Sequence, residues 1–413
     1  MRERTKYVII GNSIAAVAAI EGIRSKDKDG AITVIGEERY PAYGRPLISY
    51  YLRGATDRAH MNYRPADFYE KNGVALKTGV RAEKIDPAKK TVSLSDGGGV
   101  AYEKLLIATG SRPFEPPMEG IASVKERFRF MTMDDALALE KALSPEKRVL
   151  IVGAGLIGLK CLEGILHRVK SVAVVDLAGR ILPSILDETG AGIVQRRLEE
   201  KGAEFYLSDS VTRFNGNTAH LKSGREIEFD ILVTAVGVRP NIELVKEAGG
   251  KVARGICADE CGRTSVPDVY AAGDCAESFD IASGTERVLA LLPNANFQGR
   301  CAGINMAGGR AELKNAVAFN AIGFFGTHVF TAGAYDGECY TERSGNTYKA
   351  LFFKDDRLKG FILIDLPERA GIYTMLLRES IPLSSVNFGE LKHSPGWNAL
   401  PSEMRRARFS REV

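Results

Sequence analysis

Two clusters of glycine and small residues carry the first chemistry legible in the chain. Gly153-Ala154-Gly155-Leu156-Ile157-Gly158 has the GxGxxG spacing, in which glycines let backbone amides come close to a pyrophosphate. Asp176 follows about 20 residues on, where a carboxylate accepts from a ribose hydroxyl. Gly11-Asn12-Ser13-Ile14-Ala15-Ala16, followed by Glu37, is a degenerate copy in which Ser13 and Ala16 take the second and third glycine positions. A carboxylate at 176 welcomes a free 2′-hydroxyl and repels a 2′-phosphate, which favours NADH over NADPH, and the nearby Arg180 pulls weakly the other way.

Such loops work only when a strand, a tight turn and a helix aim them. Residues 7–10 are a short β-branched and aromatic run ahead of the first loop, residues 17–24 are helix-prone, and residues 31–35 form a second strand ending near Glu37. Around the second loop the same order recurs, with strands over 149–152 and 172–175, so the chain carries a duplicated nucleotide-binding unit. Residues 91–94, before Gly97-Gly98-Gly99, and 104–108, before Thr109-Gly110, read as meander pieces attached to these units. From about Asn320 longer strand-like runs at 348–354 and 358–364 and a helical segment at 370–377 predict a third, α+β domain.

Composition excludes several classes. The 56 basic and 52 acidic residues are interleaved for a net charge of +4, which gives no stripe fit for a nucleic-acid backbone. Gly11-Asn12-Ser13 interrupts the N-terminal apolar run and Glu21 follows it, against a secretory signal, and no stretch nears the roughly 20 apolar residues of a membrane span. Six scattered cysteines suit free thiols in a cytoplasm. Cys257, Cys261 and Cys275 lack a fourth ligand at useful spacing and are expected as buried structural thiols, the five histidines show no metal-ligand spacing, and no metal site is expected. The basic tail Arg405-Arg406-Ala407-Arg408 reads as a solvated end, or as a dock for an acidic redox partner.

Four more motifs stand in order: Leu105-Leu106-Ile107-Ala108-Thr109-Gly110-Ser111-Arg112-Pro113, Ala235-Val236-Gly237-Val238-Arg239-Pro240-Asn241, Asp268-Val269-Tyr270-Ala271-Ala272-Gly273-Asp274 and Asn294-Ala295-Asn296-Phe297-Gln298-Gly299. With both glycine loops they cover residues 5–305, and the chain resembles the two-dinucleotide-binding flavoproteins of the pyridine nucleotide-disulfide oxidoreductase fold. Pro41-Ala42-Tyr43-Gly44-Arg45-Pro46-Leu47 and Leu358-Lys359-Gly360-Phe361-Ile362-Leu363-Ile364 look most like NADH:rubredoxin reductases and the flavin modules of NADH-dependent nitrite reductases.

The resemblance implies an α/β chain with two Rossmann-like domains, one for FAD (1–115 and 236–310) and one inserted for NAD (116–235), and a C-terminal α+β interface domain (311–413). FAD would lie along Gly11, Ser13, Ile14, Ala15 and Glu37, with Arg45, Pro46, Val80, Thr109, Gly110 and Arg112 lining its path. Gly273, Asp274 and Ala295 complete that set, Asp274 at the ribityl chain and Ala295 opening a helix, 295–305, whose positive end favours the reduced flavin. NAD would be held by Gly153, Gly155, Leu156, Ile157, Gly158, Asp176 and Gly237. The implied activity is hydride exchange between NAD(H) and FAD, with electrons passed to an external carrier: rubredoxin, a ferredoxin-like protein or an iron-sulfur subunit of a complex. An NADH oxidase using oxygen, and a flavoprotein scaffold subunit, are the alternatives, and the C-terminal domain is the expected face of a homo-oligomer or hetero-complex.

Two departures from the family pattern matter. Disulfide reductases of this fold carry a CxxxxC pair on the first long helix, and related peroxidases a single cysteine within the segment held here by residues 42–51; this chain has no cysteine before Cys161, so flavin-coupled thiol chemistry at that position is excluded. Relatives also pair a glutamate at the position of Lys160 with a lysine at the position of Tyr50. Here Lys160 is expected to supply the cation near the flavin edge that Tyr50 cannot, with Glu163 one turn along as its partner; these three are the candidate catalytic residues.

Overall fold

The run Tyr7-Val8-Ile9-Ile10 is apolar on both faces, as a parallel strand covered from both sides must be. The computed structural model, which describes residues 3–367 and 369–409, sets it within the strand Glu3–Ile10. Across this sheet the order is Val74–Thr78, Ile32–Gly36, Glu3–Ile10, Gly99–Ile107, Thr91–Leu94 and Ala82–Asp86, with Val269–Ala271 also pairing Gly99–Ile107. The parallel register aligns Ile10 with Ile35 and Ile107, and Ala271 with Ile107. Four strands therefore end at one edge, and Gly11, Glu37, Thr109 and Asp274 follow from it; crevices at such carboxyl edges are where open α/β sheets bind ligands.

Residues 104–108 are not a meander piece. They close the strand Gly99–Ile107, which pairs in parallel with the first strand from Val100 to Ile107 and, on its other edge, antiparallel with Thr91–Leu94 and then in parallel with Val269–Ala271. Leu105, Leu106 and Ile107 are fully buried, and such a continuous apolar run marks a central strand. Turn punctuation misled: Gly99, the last of three glycines, already belongs to the strand.

The inserted sheet is parallel throughout: Ala203–Leu207, Ser171–Asp176, Arg148–Val152, Ile231–Thr234 and Arg127–Phe128. Val152 pairs with both Val175 and Thr234, so Gly153, Asp176 and Ala235 meet at its carboxyl edge. Contact across Ser111–Pro113 and Val238–Pro240, paired antiparallel, joins the two halves of the first nucleotide-binding region.

The helix Ile14–Arg24 is buried along most of its length and packs on the helix Leu292–Met306. Glycines permit the approach: a Cβ at Gly299 would lie 2.1 Å from the Ala15 carbonyl oxygen, and one at Gly303 2.2 Å from that of Ala19. Four residues apart, both face the same side of their helix. The second helix begins at Leu292, three residues before the expected start, because Pro293 suits a first turn.

All of these elements lie in one compact unit, residues up to 181, 199–279 and 286–314, and the other unit gathers 182–198, 280–285 and 315 onward. In the latter, five antiparallel strands run in the order Phe319–Phe324, Thr327–Gly333, Arg357–Ile364, Thr347–Lys354 and Glu338–Ser344, with the helix Ala370–Arg378 against them. Leu351, Phe361, Leu363, Tyr373 and Leu376 fill its core, at about 1.5–3 kcal/mol for each such side chain buried. Residues 182–198, which fall within the expected NAD domain, are tied here by Tyr348 donating to Asp187 and by Arg197 pairing with Asp365 at 2.8 Å.

Candidate active site

Gly11 turns the chain at φ +108°, and a Cβ there would stand 2.0 Å from the Ala108 carbonyl oxygen, so no other residue fits. The helix that follows starts at Ser13 without a side-chain cap, which leaves the amides beyond it to an outside acceptor. Ile14 and Ala15 are buried beneath this turn. Glu37 is exposed at the strand end, whereas its neighbour Glu38 is occupied: Arg45 pairs with it and the Tyr43 hydroxyl donates to it at 2.6 Å. Arg45 also donates to the Met131 carbonyl, Pro46 caps the helix Leu47–Leu52, and the Val80 amide donates to Gly36.

Gly273, at φ +83°, brings Ala15 and Ala295 together, since a Cβ on it would lie 3.3 Å and 3.7 Å from theirs. Gln298 accepts from the Gly273 amide at 2.6 Å. Asp274 accepts from the Ser111 hydroxyl at 3.2 Å, and burial pushes its carboxyl above the usual range. Thr109 and Asn241 exchange hydrogen bonds of 2.9 Å, Gly110 takes φ +65°, and the exposed Arg112 is held by Asn241 and Glu243. A glycine turn against an uncapped helix, together with a half-buried carboxyl short of donors, fits the pyrophosphate and the hydroxylated ribityl chain of FAD.

The second loop has the same construction. Gly153 sits at φ +116° with a notional Cβ 2.3 Å from the Ala235 carbonyl oxygen, and a Cβ at Gly158 would strike the Gly153 carbonyl oxygen at 2.0 Å. At Gly155, the helix N-cap, an added Cβ meets no atom within 4 Å. Leu156 and Ile157 open that helix half-buried, and Gly237 turns at φ +113°. Asp176 accepts from the amides of Ala154 at 2.6 Å and Ala178 at 2.8 Å, so it braces the loop while each oxygen keeps a second lone pair. Two tight glycines and one open one leave room for a dinucleotide pyrophosphate where room is needed.

The third group joins the helix Leu47–Leu52 to the helix Leu156–Ile165. Lys160 and Glu163 pair, as their spacing on one helix face allows, and the Lys160 ammonium lies 4.5 Å from the centre of the Tyr50 ring. Sequence reasoning missed Arg53, which donates to Glu163 at 3.0 Å and whose guanidinium lies 5.1 Å from the same ring. Its place three residues after Tyr50, matching that of Glu163 after Lys160, was the available sign. Beside this group Cys161 is fully buried, and burial raises its thiol pKa, which disfavours a thiolate there. Cys275 is buried as expected, but Cys257 and Cys261 are only half-buried, because their segment is short of strand pairing and runs near the surface.

Comparison with known proteins places this geometry. A family model described as pyridine nucleotide-disulphide oxidoreductase matches residues 5–299. The chain is 32% identical over 388 residues to the NADH-dependent phenylglyoxylate dehydrogenase subunit epsilon of Aromatoleum evansii, covering 91% of this chain and 92% of that one. With the rubredoxin-NAD(+) reductase of Pseudomonas putida it shares 30% identity over 380 residues, 88% of this chain and 97% of the relative. Among solved structures, the covalent putidaredoxin reductase–putidaredoxin complex superposes with a TM-score of 0.87 at 22% identity, over 99% of both chains, which shows a shared fold.

Proposed function

The chain belongs to the pyridine nucleotide-disulphide oxidoreductase family, and on that footing we propose that it takes hydride from NADH and hands the electrons to a one-electron redox protein or an iron-sulfur subunit. It is an FAD-dependent NAD(P)H oxidoreductase that exchanges electrons with a redox partner. The observation that carries the reading is the pair of glycine loops at the carboxyl edges of the parallel strands of two sheets within one compact unit. Flavin, once bound, supplies the chemistry that joins two-electron hydride uptake to single-electron release.

This chain's residues bind, orient and polarise. Gly11, Ser13 and the buried Ile14 and Ala15 present the first helix end to one pyrophosphate, and Asp274 takes hydroxyl donors. Gly155 and the helix behind it receive the second pyrophosphate, with Asp176 selecting a free 2′-hydroxyl. The helix Leu292–Met306 begins without a side-chain cap and turns its partial positive charge toward the charge that develops on the acceptor ring. Lys160, Glu163 and Tyr50 lie at the flavin edge. With no cysteine ahead of Cys161, and that thiol held neutral by burial, electrons leave to a carrier outside the chain. The cytoplasm is the proposed compartment, and the C-terminal unit the proposed face for a further copy or a complex subunit; among the described residues no helix is long and apolar enough to cross a membrane.

The acceptor is tested by reducing the protein with NADH and following reoxidation by rubredoxin, by a low-potential iron-sulfur protein or by dissolved oxygen. The expected result is reoxidation by one of the proteins at least about tenfold faster than by oxygen, a difference of ~1.4 kcal/mol in barrier. Faster reaction with oxygen would turn the assignment to an NADH oxidase.

A further inference from the structure

Tyr43 is buried in the turn between the strand Ile32–Gly36 and the helix Leu47–Leu52, and its hydroxyl joins two separate parts of the chain. It accepts from the Met133 amide, the first of the helix Met133–Ala142, at 2.8 Å, and it donates to Glu38 at 2.6 Å. An amide only donates and a phenol holds one hydrogen, so both bonds have a fixed direction and the Tyr43 proton must point at the Glu38 carboxylate. Burial raises the phenol's pKa and keeps that proton in place. The capping box of Thr132 and Asp135 fixes the turn ahead of the helix, and with it the Met131 carbonyl. Arg45 closes the group: one amino nitrogen donates to Met131 at 3.2 Å, the other pairs with Glu38, and the guanidinium lies 5.8 Å from the centre of the Tyr43 ring. At Asp274 burial raises the carboxyl pKa, while the Ser111 hydrogen bond and then the Arg45 charge lower it, so the guanidinium acts on the group that faces the ribityl chain.

We infer that Tyr43 is a positioning residue for FAD: by orienting Glu38 and seating the start of the helix Met133–Ala142, its hydroxyl holds the Arg45 guanidinium where it meets the negative charge of the bound dinucleotide. A long, flexible side chain that the ligand itself must order costs affinity, whereas one already held by a carboxylate, a carbonyl and a ring does not. Without the hydroxyl, Glu38 and the turn at Met131 are no longer tied to one another, and Arg45 loses the common frame of its two hydrogen bonds. The inference rests on the reading of Arg45 as a residue lining the FAD path. It adds Tyr43 and Glu38 as the groups that orient it.

The experiment dilutes the FAD-loaded protein and follows the fluorescence of released FAD at low salt and at about 1 M salt, where charge interactions are screened within a few ångströms. It uses neither NADH nor an acceptor, so failure of electron transfer leaves it readable, and a protein that holds no FAD contradicts the functional reading itself. Tyr43→Phe, which keeps the ring, is expected to release FAD about tenfold faster at low salt, the loss of one charge-linked hydrogen bond, with the difference narrowing at high salt. In an Arg45→Gln background, which itself releases FAD faster than the parent, the same change alters the rate by less than about twofold, because the two residues act as one unit. Glu38→Asp keeps the charge but withdraws the carboxylate from Tyr43 and Arg45; it is expected to behave as Tyr43→Phe does and decides the matter if that variant does not fold. A parent release rate in folded Tyr43→Phe or Glu38→Asp, an acceleration that is the same with and without Arg45, or one that salt does not diminish would each overturn the inference, and parent release in Arg45→Gln would remove its premise.

Discussion

Gly155→Val is expected to slow flavin reduction by NADH about 100-fold at low NADH concentration while FAD content and melting temperature stay close to the parent, a loss of ~2.8 kcal/mol. The contrast among the three glycines of the loop supports this. At Gly153 and Gly158 an added Cβ would strike backbone carbonyls at 2.3 Å and 2.0 Å, so changes there damage the fold before any ligand is considered. Gly155 adopts extended backbone, φ −81°, and its notional Cβ points away from every atom within 4 Å. A valine side chain fits that backbone and costs the chain at most about 1 kcal/mol as a poor N-cap. What it removes is the approach of a pyrophosphate to the uncapped helix end. Stopped-flow reduction at graded NADH concentrations, with thermal unfolding alongside, reads both effects, and parent kinetics in a stable Gly155→Val protein would show that the second loop does not hold the nicotinamide dinucleotide.

The second large effect is at Asp274. Asp274→Ala is expected to weaken FAD binding about 100-fold, because a carboxylate that accepts from ligand hydroxyls contributes ~1.5–3 kcal/mol per hydrogen bond. The apoprotein is expected to melt no lower than the parent apoprotein. Burial raises the Asp274 carboxyl, so the folded chain holds its proton more tightly than the unfolded chain does. The group therefore costs stability once the pH rises above the unfolded carboxylate range, and that cost disappears on acidification below it. Alanine removes the cost along with the function. Flavin release on dilution and calorimetry of both apoproteins measure the two effects, and a variant that loses stability yet retains FAD would invert the assignment.

Much of this arrangement was legible in the residues themselves. The loop at 153–158 could be read from spacing because its glycines answer local steric demands, and the strands over 172–175 and 91–94 could be read from short apolar runs. What escaped depends on pairing across the sheet. On one edge the strand Gly99–Ile107 changes from an antiparallel neighbour, Thr91–Leu94, to a parallel one, Val269–Ala271, and no local pattern announces that. Glu38, the neighbour of the Glu37 named from the sequence, engages Arg45 beyond the strand's end, where no periodicity applies. Arg53 entered the cluster only once Gly164 was seen to admit the helix that precedes it. Residues 182–198 joined the C-terminal unit through single contacts such as Tyr348 to Asp187, which leave no periodic trace.

The central claim is that one chain brings NADH to FAD. Anaerobic titration of the purified, FAD-loaded protein with NADH, watching the visible flavin absorbance, tests it most directly. The account requires the colour to bleach with NADH in proportion to bound FAD and to return when an electron acceptor is added. A well-folded protein that takes up no FAD, or one whose flavin stays oxidised under excess NADH, would contradict it.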